Sequence, residues 1–538
     1  MLRKYYKATP YLLLAMLAAA AYSVMDGIVT IRMMALLDYA LKSDMTQVAR
    51  EAPPLLLMAA ALVPLGILSA MAKNYYKKQS SVILKKYYMQ KVFGKNIAEF
   101  QKENNAKYLS SMTNDFNTLE TNLMEGVHTV GNGIVKFGVG IWLLSTVDPR
   151  MILLALLIIA VNLCVSFLTA RPSKKAYKER SDMFDGYTSY IKEILSAFHI
   201  VKNYGLQEKV TKDYYEKSEA IQHKGYVIER LLTFVFASEN FITSTSIYGV
   251  ICVLGYMVIL GKVTAGGLLL VVNSIQKMMW PLYELSEALP KIFTTGDLIR
   301  KMEKTLENSD TYVETVELPE FRDAIEFKEV GFAYEDGEQL ILKDINLTVR
   351  KNGKYLIVGP SGGGKSTLLR LFRKYFNPIL GKILIDGHDL KDVTRDSYYK
   401  LVANIEQQVF IFEDTVKNNL TLYKEYSDEE IAAAVEAAGL TDFVKGLEKG
   451  MDSIIYDNGK NISGGERSRL VIARALLSKA SILFMDEAFA SLDMERAREI
   501  EKTILGLKDI TVINVSHVIF KDTRDLYDRV LTVKHGIY

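Results

Sequence analysis

The chain has 538 residues, with 66 Lys and Arg against 63 Asp and Glu, a formal net charge of +3, 49% hydrophobic residues and a mean hydropathy of +0.08. So even a balance requires no nucleic-acid partner, the length allows several domains, and the hydropathy is what an apolar part averaged with a soluble part gives. The two cysteines, Cys164 and Cys252, sit inside apolar stretches and read as inert buried thiols rather than a disulfide or a metal site.

The start, MLRKYYK, runs into a long apolar stretch with no small-residue cleavage site, which predicts a retained membrane anchor rather than a cleaved signal peptide. No segment is expected before it that could form a built-in leader peptidase. Six apolar segments follow, around Tyr11 to Leu37, Ala52 to Ala72, Val127 to Val147, Met151 to Ala170, Leu231 to Leu260 and Val263 to Leu282. Each can cover the roughly 20 helical residues that a bilayer core demands. Buried helices of a large soluble core are the alternative, but a run such as MILLALLIIAVNLCVSFL is apolar on every face, which favours spans.

Orientation follows from the loops. Arg3, Lys4 and Lys7 precede the first segment, and Lys73, Lys77, Lys78, Lys85, Lys86, Lys91 and Lys95 follow the second, which puts those sides in the cytoplasm. The stretch Arg171 to Arg230 is again basic, whereas the opposite loops are short (TVDPR, GKV) or mixed (Asp38 to Glu51). The two cytoplasmic stretches, Lys73 to Glu125 and Arg171 to Arg230, lack the Gly and Pro punctuation of loops. As helical hairpins with arms of about 25 residues they reach on the order of 35 Å below the membrane and act as levers. Asp26, Arg32, Lys136, Glu239 and Lys277 lie within the spans, where an isolated charge is expensive. They are expected to face a wet cavity, where substrate contact and buried pairing or snorkelling remain equally open readings.

A polar stretch from Glu303 to Pro319 then separates the last span from IEFKEVGFAYEDG, whose alternation reads as soluble strand. The expected organisation is an all-α six-helix membrane domain over residues 1–305, a linker over 306–323, and an α/β P-loop domain over 324–538. LIVGPSGGGKSTLLRLF gives an apolar strand, the pattern G-x-x-x-x-G-K-S from Gly359 to Ser366, and an amphipathic helix. Such a loop cradles phosphate oxygens on its backbone N–H groups; Lys365 reaches the outer phosphates and the Ser366 hydroxyl ligates Mg²⁺. Further on, SILFMDE ends a buried-strand run in Asp486, which can hold the Mg²⁺ shell, and Glu487, which can poise water. Between them, in NISGGERSRLVIARALL, Ser463, Gly464 and Gly465 stand at a helix start and offer N–H donors to an anion, unless they are a plain cap.

Taken together, these motifs resemble the ABC transporter ATPase family over the whole nucleotide half and in the family's order. The resemblance implies that Gly359, Ser361, Gly362, Gly363, Gly364, Lys365, Ser366 and Thr367 bind ATP. It implies that Tyr334, unless a plain strand tyrosine, stacks on adenine, and that Gln407, with Gln408 as the neighbouring alternative, senses Mg²⁺ and the γ-phosphate. Asp493 is similar to the D-loop aspartate and His517 to the switch histidine. The membrane half resembles the family's exporters, and FGKNIAEFQKENNAKYLSSMTNDFNTLE and YIKEILSAFHIVKNYGLQEKV resemble the segments that touch the ATPase. Three departures stand out. The signature reads ISGGE, so Glu466 replaces the usual glutamine and leaves the strength of nucleotide closure open; the D-loop reads ASLD; and the C-terminal helices of many relatives are not expected after the strand that precedes Tyr538.

In this family the signature of one ATPase domain closes over ATP on the phosphate loop of another, which implies a dimer. Since Glu487 and His517 are both intact, a homodimer is expected, with a heterodimer with a homologous half-transporter as the alternative. The expected output is ATP-driven export of a peptide or amphipathic small molecule across the cytoplasmic membrane by alternating access. The rival readings are a flippase for a lipid or lipid-linked glycan, a siderophore importer on an exporter fold, and an ATP-gated channel or sensor.

Overall fold

The computed structural model describes residues 1–103, 105–308, 312–334, 339–407, 409–489, 492–517 and 519–537; the side chains of 102, 106, 162–178, 181–182, 185, 232, 235–236, 239, 283 and 286–287 are not part of that description. Gln408 and the side chains of Glu239 and Cys164 therefore lie outside the described residues. Two compact units form: Met1–Lys95 with Glu103–Glu307, and Asn96–Lys102 with Asn308–Tyr538.

The first unit is helical. Its long helices are α1 (Thr9–Leu41), α2 (Met45–Phe93), α4 (Glu125–Val147), α5 (Arg150–Ser196), α7 (Gln207–Ile259) and α8 (Ala265–Leu306). The short α6 (Phe198–Asn203) sits between α5 and α7, while α3 (Ile97–Lys102), between α2 and α4, belongs to the second unit. Each apolar segment thus lies on its own helix. Among the described residues, four stretches are long and apolar enough to cross a membrane: Leu2–Leu41, Met45–Phe93, Lys107–Val147 and Asn240–Ile259. Arg150–Val161 is a shorter apolar run, and α8 carries Asn273, Gln276 and Lys277 among its apolar residues. The chain reverses where the sequence supplies caps: the Asp44 carboxylate accepts from Gln47 N at 3.1 Å to start α2, and Thr264 Oγ1 accepts from Gly267 N at 3.0 Å to start α8.

The expected lever hairpins are continuations of the spans. α2 runs for 49 residues and α7 for 53, about 74 and 80 Å of helix, well beyond one bilayer crossing. α1 packs on α2 and α4, α8 packs on α4, and α5 pairs with α7. The α4–α8 contact is close enough that a Cβ on Gly140 would stand 2.2 Å from Met278 Cγ. Cys252 is exposed on α7 rather than buried, because an apolar residue of a membrane helix need not face protein.

Among the described residues, the second unit contains three sheets. Strands β1 (Ala324–Phe332), β2 (Leu342–Arg350), β4 (Leu380–Ile385) and β5 (His388–Asp389) form an antiparallel sheet in the order β2-β1-β4-β5. A parallel sheet has the order β11-β3-β10-β9-β6, from β3 (Lys354–Val358), β6 (Val402–Ile405), β9 (Ile482–Asp486), β10 (Thr511–Val515) and β11 (Arg529–Thr532). The two-residue strands β7 (Asp414–Thr415) and β8 (Ile454–Ile455) pair separately. All five residues of β10, TVINV, are buried, as a central parallel strand covered on both faces requires.

Much of the expected 306–323 linker is packed. Thr315 N and Val316 N both donate to Asp392 O at 2.9 Å, and Thr394 N donates to Val316 O at 2.7 Å. Leu318 and Phe321 are buried in the core of the second unit. Glu314 accepts from Arg395 N at 2.8 Å and pairs with the fully buried Lys374 at 3.2 Å. The strap forms because Lys374, at 1% exposure, has no access to water and needs a counter-charge.

Candidate functional site

β3 ends at Val358 and hands over to the loop Gly359–Gly364, which opens α9 (Lys365–Phe372). A Cβ at Gly359 or Gly363 would lie 2.2 or 2.7 Å from Val533 O, so the loop passes against backbone where only glycine fits. Gly364, at φ 99°, begins α9 with no side-chain cap, leaving the first-turn N–H groups of Lys365, Ser366 and Thr367 for a ligand. The Lys365 ammonium, almost fully buried, donates to the carbonyls of Gly359 and Pro360 at 3.0 Å and is thereby held over the loop. Tyr334 sits beside this helix: its hydroxyl lies 3.3 Å from Thr367 Oγ1 and accepts from Arg370 Nη1 at 3.0 Å, and its ring packs edge-on against Phe332 and Phe376.

At the end of β9, Glu487 takes a left-handed backbone conformation (φ 50°) held by its N–H donating to Val515 O at 2.9 Å. The turn aims its carboxylate at two other candidate site residues: Gln407 Nε2 donates to Oε2 at 2.8 Å, and His517 Nε2 lies 3.1 Å from Oε1. Three residues that are far apart in sequence thus meet at one carboxylate, Gln407 by a hydrogen bond and His517 by a close polar approach, a meeting that the sequence reading of Gln407 did not include. Burial pushes the Asp486 carboxyl above the usual carboxylate range; Arg373 counteracts this, and the carboxylates of Glu487 and Glu406 reinforce it. A buried acid among acids has the donor chemistry that a divalent cation takes, which keeps Asp486 as a candidate Mg²⁺ ligand. Sequence reasoning missed Arg373, which is buried and pairs with Glu406 at 3.7 Å, and Tyr375, which donates to Glu406 at 3.1 Å. Their position just past α9 was a signal, but their partner lies across the sheet.

The remaining candidates lie elsewhere in this unit. Ser463 caps α12 (Gly464–Leu477), which packs on α10 (Val416–Thr421) and α11 (Asp428–Ala437). The predicted departure at Glu466 closes a capping box: Glu466 N donates to Ser463 Oγ at 3.2 Å, and Ser463 N donates to Glu466 Oε2 at 2.7 Å. Gly464 and Gly465 keep first-turn N–H groups for an anion, and the Ser463 hydroxyl keeps its proton to donate. Asp493 caps α13 (Met494–Gly506) by accepting from Arg496 N at 2.9 Å.

In the helical unit the four predicted intramembrane charges whose side chains are described, Asp26, Arg32, Lys136 and Lys277, are paired. Lys277 on α8 bonds Asp26 on α1 and donates to Thr30 Oγ1 at 2.9 Å; Lys136 on α4 lies 3.8 Å from Glu284 on α8; Arg32 on α1 pairs with Glu51 on α2 at 3.2 Å. Asp26, Lys277, Lys136 and Glu284 each keep 28–34% side-chain exposure, so pairing and access coexist. Glu284 and Thr30 were not anticipated, although Glu284 falls seven residues after Lys277 and hence on the same helix face.

Comparison with known proteins matches residues 10–282 to the ABC transporter transmembrane region and residues 342–490 to the ABC transporter family. The chain is 26% identical over 493 residues to an uncharacterized ABC transporter ATP-binding protein of Bacillus subtilis, covering 90% of this chain and 81% of that protein. It is 27% identical over 434 residues to an ATP-dependent lipid A-core flippase of Syntrophus aciditrophicus, covering 78% and 71%. A solved bacterial Atm1-family ABC exporter with ATP bound superposes with a TM-score of 0.80 at 20% identity, over 99% of this chain and 94% of that one. The chain belongs to the ABC transporter family. It carries the family's transmembrane region and ATPase domain in one chain, with the fold of an exporter half-transporter, and is a multi-pass membrane protein whose ATP-binding domain is a hydrolase coupled to transmembrane transport.

Proposed function

We propose that two copies of this chain export an amphipathic small molecule or peptide from the cytoplasm across the cytoplasmic membrane, driven by ATP. The observation that carries the reading is the Gln407–Glu487–His517 chain beside the phosphate loop, because it ties a sensing amide to a carboxylate that can poise water. Lys365 leaves its loop carbonyls for the β- and γ-phosphates, Glu487 orients the attacking water, and His517 holds the γ-phosphate. Ser366, Gln407 and Asp486 would hold Mg²⁺, which would supply neutralising charge. The signature cap at Ser463, Gly464 and Gly465 belongs to the helical layer of α10 and α11, whereas α9 packs on β9 and β10. This division supports a site completed by the signature of a second copy, with the ATPase domains in the cytoplasm and the two hairpins as levers.

The flippase relative supports a second reading, movement of a lipid between leaflets. Two inactive chains, Lys365→Ala and Ser463→Ala, test the homodimer: in mixed dimers one site keeps both its loop and its signature. Turnover restored on mixing supports the reading. Silence in a mixture that still binds ATP overturns it in favour of a heterodimer.

A further inference from the structure

α8 carries Asn273, Lys277, Trp280 and Glu284 at spacings of four, three and four residues, which places them along one helix face. Lys277 and Glu284 are seven residues apart, about 10 Å along the axis. Between them the Trp280 ring is 65% exposed while its indole N–H donates to Glu284 Oε1 at 2.9 Å. Neither charge is saturated by its neighbours. Lys277 gives two of its three N–H groups to Asp26 and Thr30, which leaves one donor. Among the described residues, Glu284 Oε2 has only the 3.8 Å approach of Lys136, too long for a hydrogen bond, and so keeps its acceptor capacity. Asn273 Oδ1, one turn from Lys277, is buried with no hydrogen-bond partner among the described residues.

We infer that this face is a recognition site for a dipolar amphiphile, a molecule with an anionic group and a cationic group about 10 Å apart flanking an apolar body. The inference rests on the transport reading and names the substrate class of that function. The anionic group takes the free Lys277 N–H, the cationic group takes Glu284 Oε2, and the body lies on the Trp280 ring. The resident pairs Asp26–Lys277 and Lys136–Glu284 neutralise the charges when no substrate is bound, which is how four ionisable groups persist among spans. A singly charged amphiphile leaves one of the two unsatisfied positions unmatched and binds less well.

An extended peptide of three residues spans about 10 Å between its ends, so a three-residue apolar peptide with free termini is the probe. Its N-acetyl and C-amide forms delete one charge each without altering the protein. Trp142 and Trp280 are the two tryptophans, so a full-length Trp142→Phe protein in nanodiscs reports binding through Trp280 fluorescence, independently of hydrolysis. Each blocking group is expected to weaken binding about tenfold. Lys277→Met should bind the free peptide as weakly as the parent binds the amide, and should no longer distinguish the two; Glu284→Gln should lose discrimination against acetylation in the same way. Equal binding of all peptide forms by the parent, or full sensitivity to amidation in Lys277→Met, would overturn the inference. Binding with this charge pattern but no ATP turnover would leave the site standing and defeat the transport reading; turnover without the pattern would do the reverse.

Discussion

Glutamine in place of Glu466 should move stability and nucleotide affinity in opposite directions. Glu466 stands at the third position of α12, accepts from Ser463 N at 2.7 Å, and places a full negative charge against the helix N-terminus. Glutamine keeps an acceptor oxygen, so the capping box survives in neutral form. What disappears is the charge–dipole term, about 0.3–1 kcal/mol. The same carboxylate stands beside the N–H groups of Gly464 and Gly465, where the phosphate of a partner's ATP is proposed to dock, and it opposes that anion. Removing it should strengthen ATP binding by about two- to fivefold, the equivalent of the same energy. Thermal unfolding without nucleotide and ATP-dependent vanadate trapping read the two effects. The expected outcome is a slightly lower Tm with half-maximal trapping at lower ATP. An unchanged Tm with weaker trapping would refute the reasoning, because Glu466 would then be gripping nucleotide rather than capping the helix.

Gly363→Ala introduces a Cβ 2.7 Å from Val533 O and 3.0 Å from Pro360 O, so ATP binding should fall at least about tenfold, measured with a fluorescent analogue, while the membrane unit stays folded. Glu314→Ala leaves buried Lys374 without its counter-charge and should cost the ATPase unit about 3 kcal/mol, with Lys374→Met in the same chain recovering most of it in urea unfolding. The folded chain raises the Asp486 carboxyl above its ordinary value. Its contribution to stability is therefore present below the unfolded pKa and lost as pH rises through the folded one. At neutral pH and without Mg²⁺, Asp486→Asn should raise Tm while abolishing turnover, and added Mg²⁺ should stabilise the parent but not the variant.

The nucleotide site was legible because its chemistry is local. A phosphate loop needs glycines, a lysine and a hydroxyl within a few residues; β9 announces itself by an unbroken apolar run ending in Asp486, and β10 by a mostly apolar strand shortly before His517. What was not legible depends on which helix faces meet. Spacing places Lys277 and Glu284 on one face of α8, but it cannot say that Asp26 and Lys136 stand opposite, so the charges read as cavity or pair without a decision. The exposure of Cys252 was misread for a related reason, since apolar surroundings in sequence do not distinguish protein from lipid. The segment Asn96–Lys102 falls inside the expected membrane domain, and its resemblance to an ATPase-touching segment agrees with its place in the ATPase unit, where Asn96 N donates to Asn308 Oδ1 at 3.4 Å.

The most direct test of the account is ATP hydrolysis by the purified chain in lipid nanodiscs beside its Glu487→Gln variant. Vanadate-sensitive turnover that drops by about 10²- to 10⁴-fold in the variant, with ATP binding retained, is the predicted result. Equal turnover in the two proteins would contradict the assignment of Glu487, and with it the hydrolytic chain from Gln407 to His517.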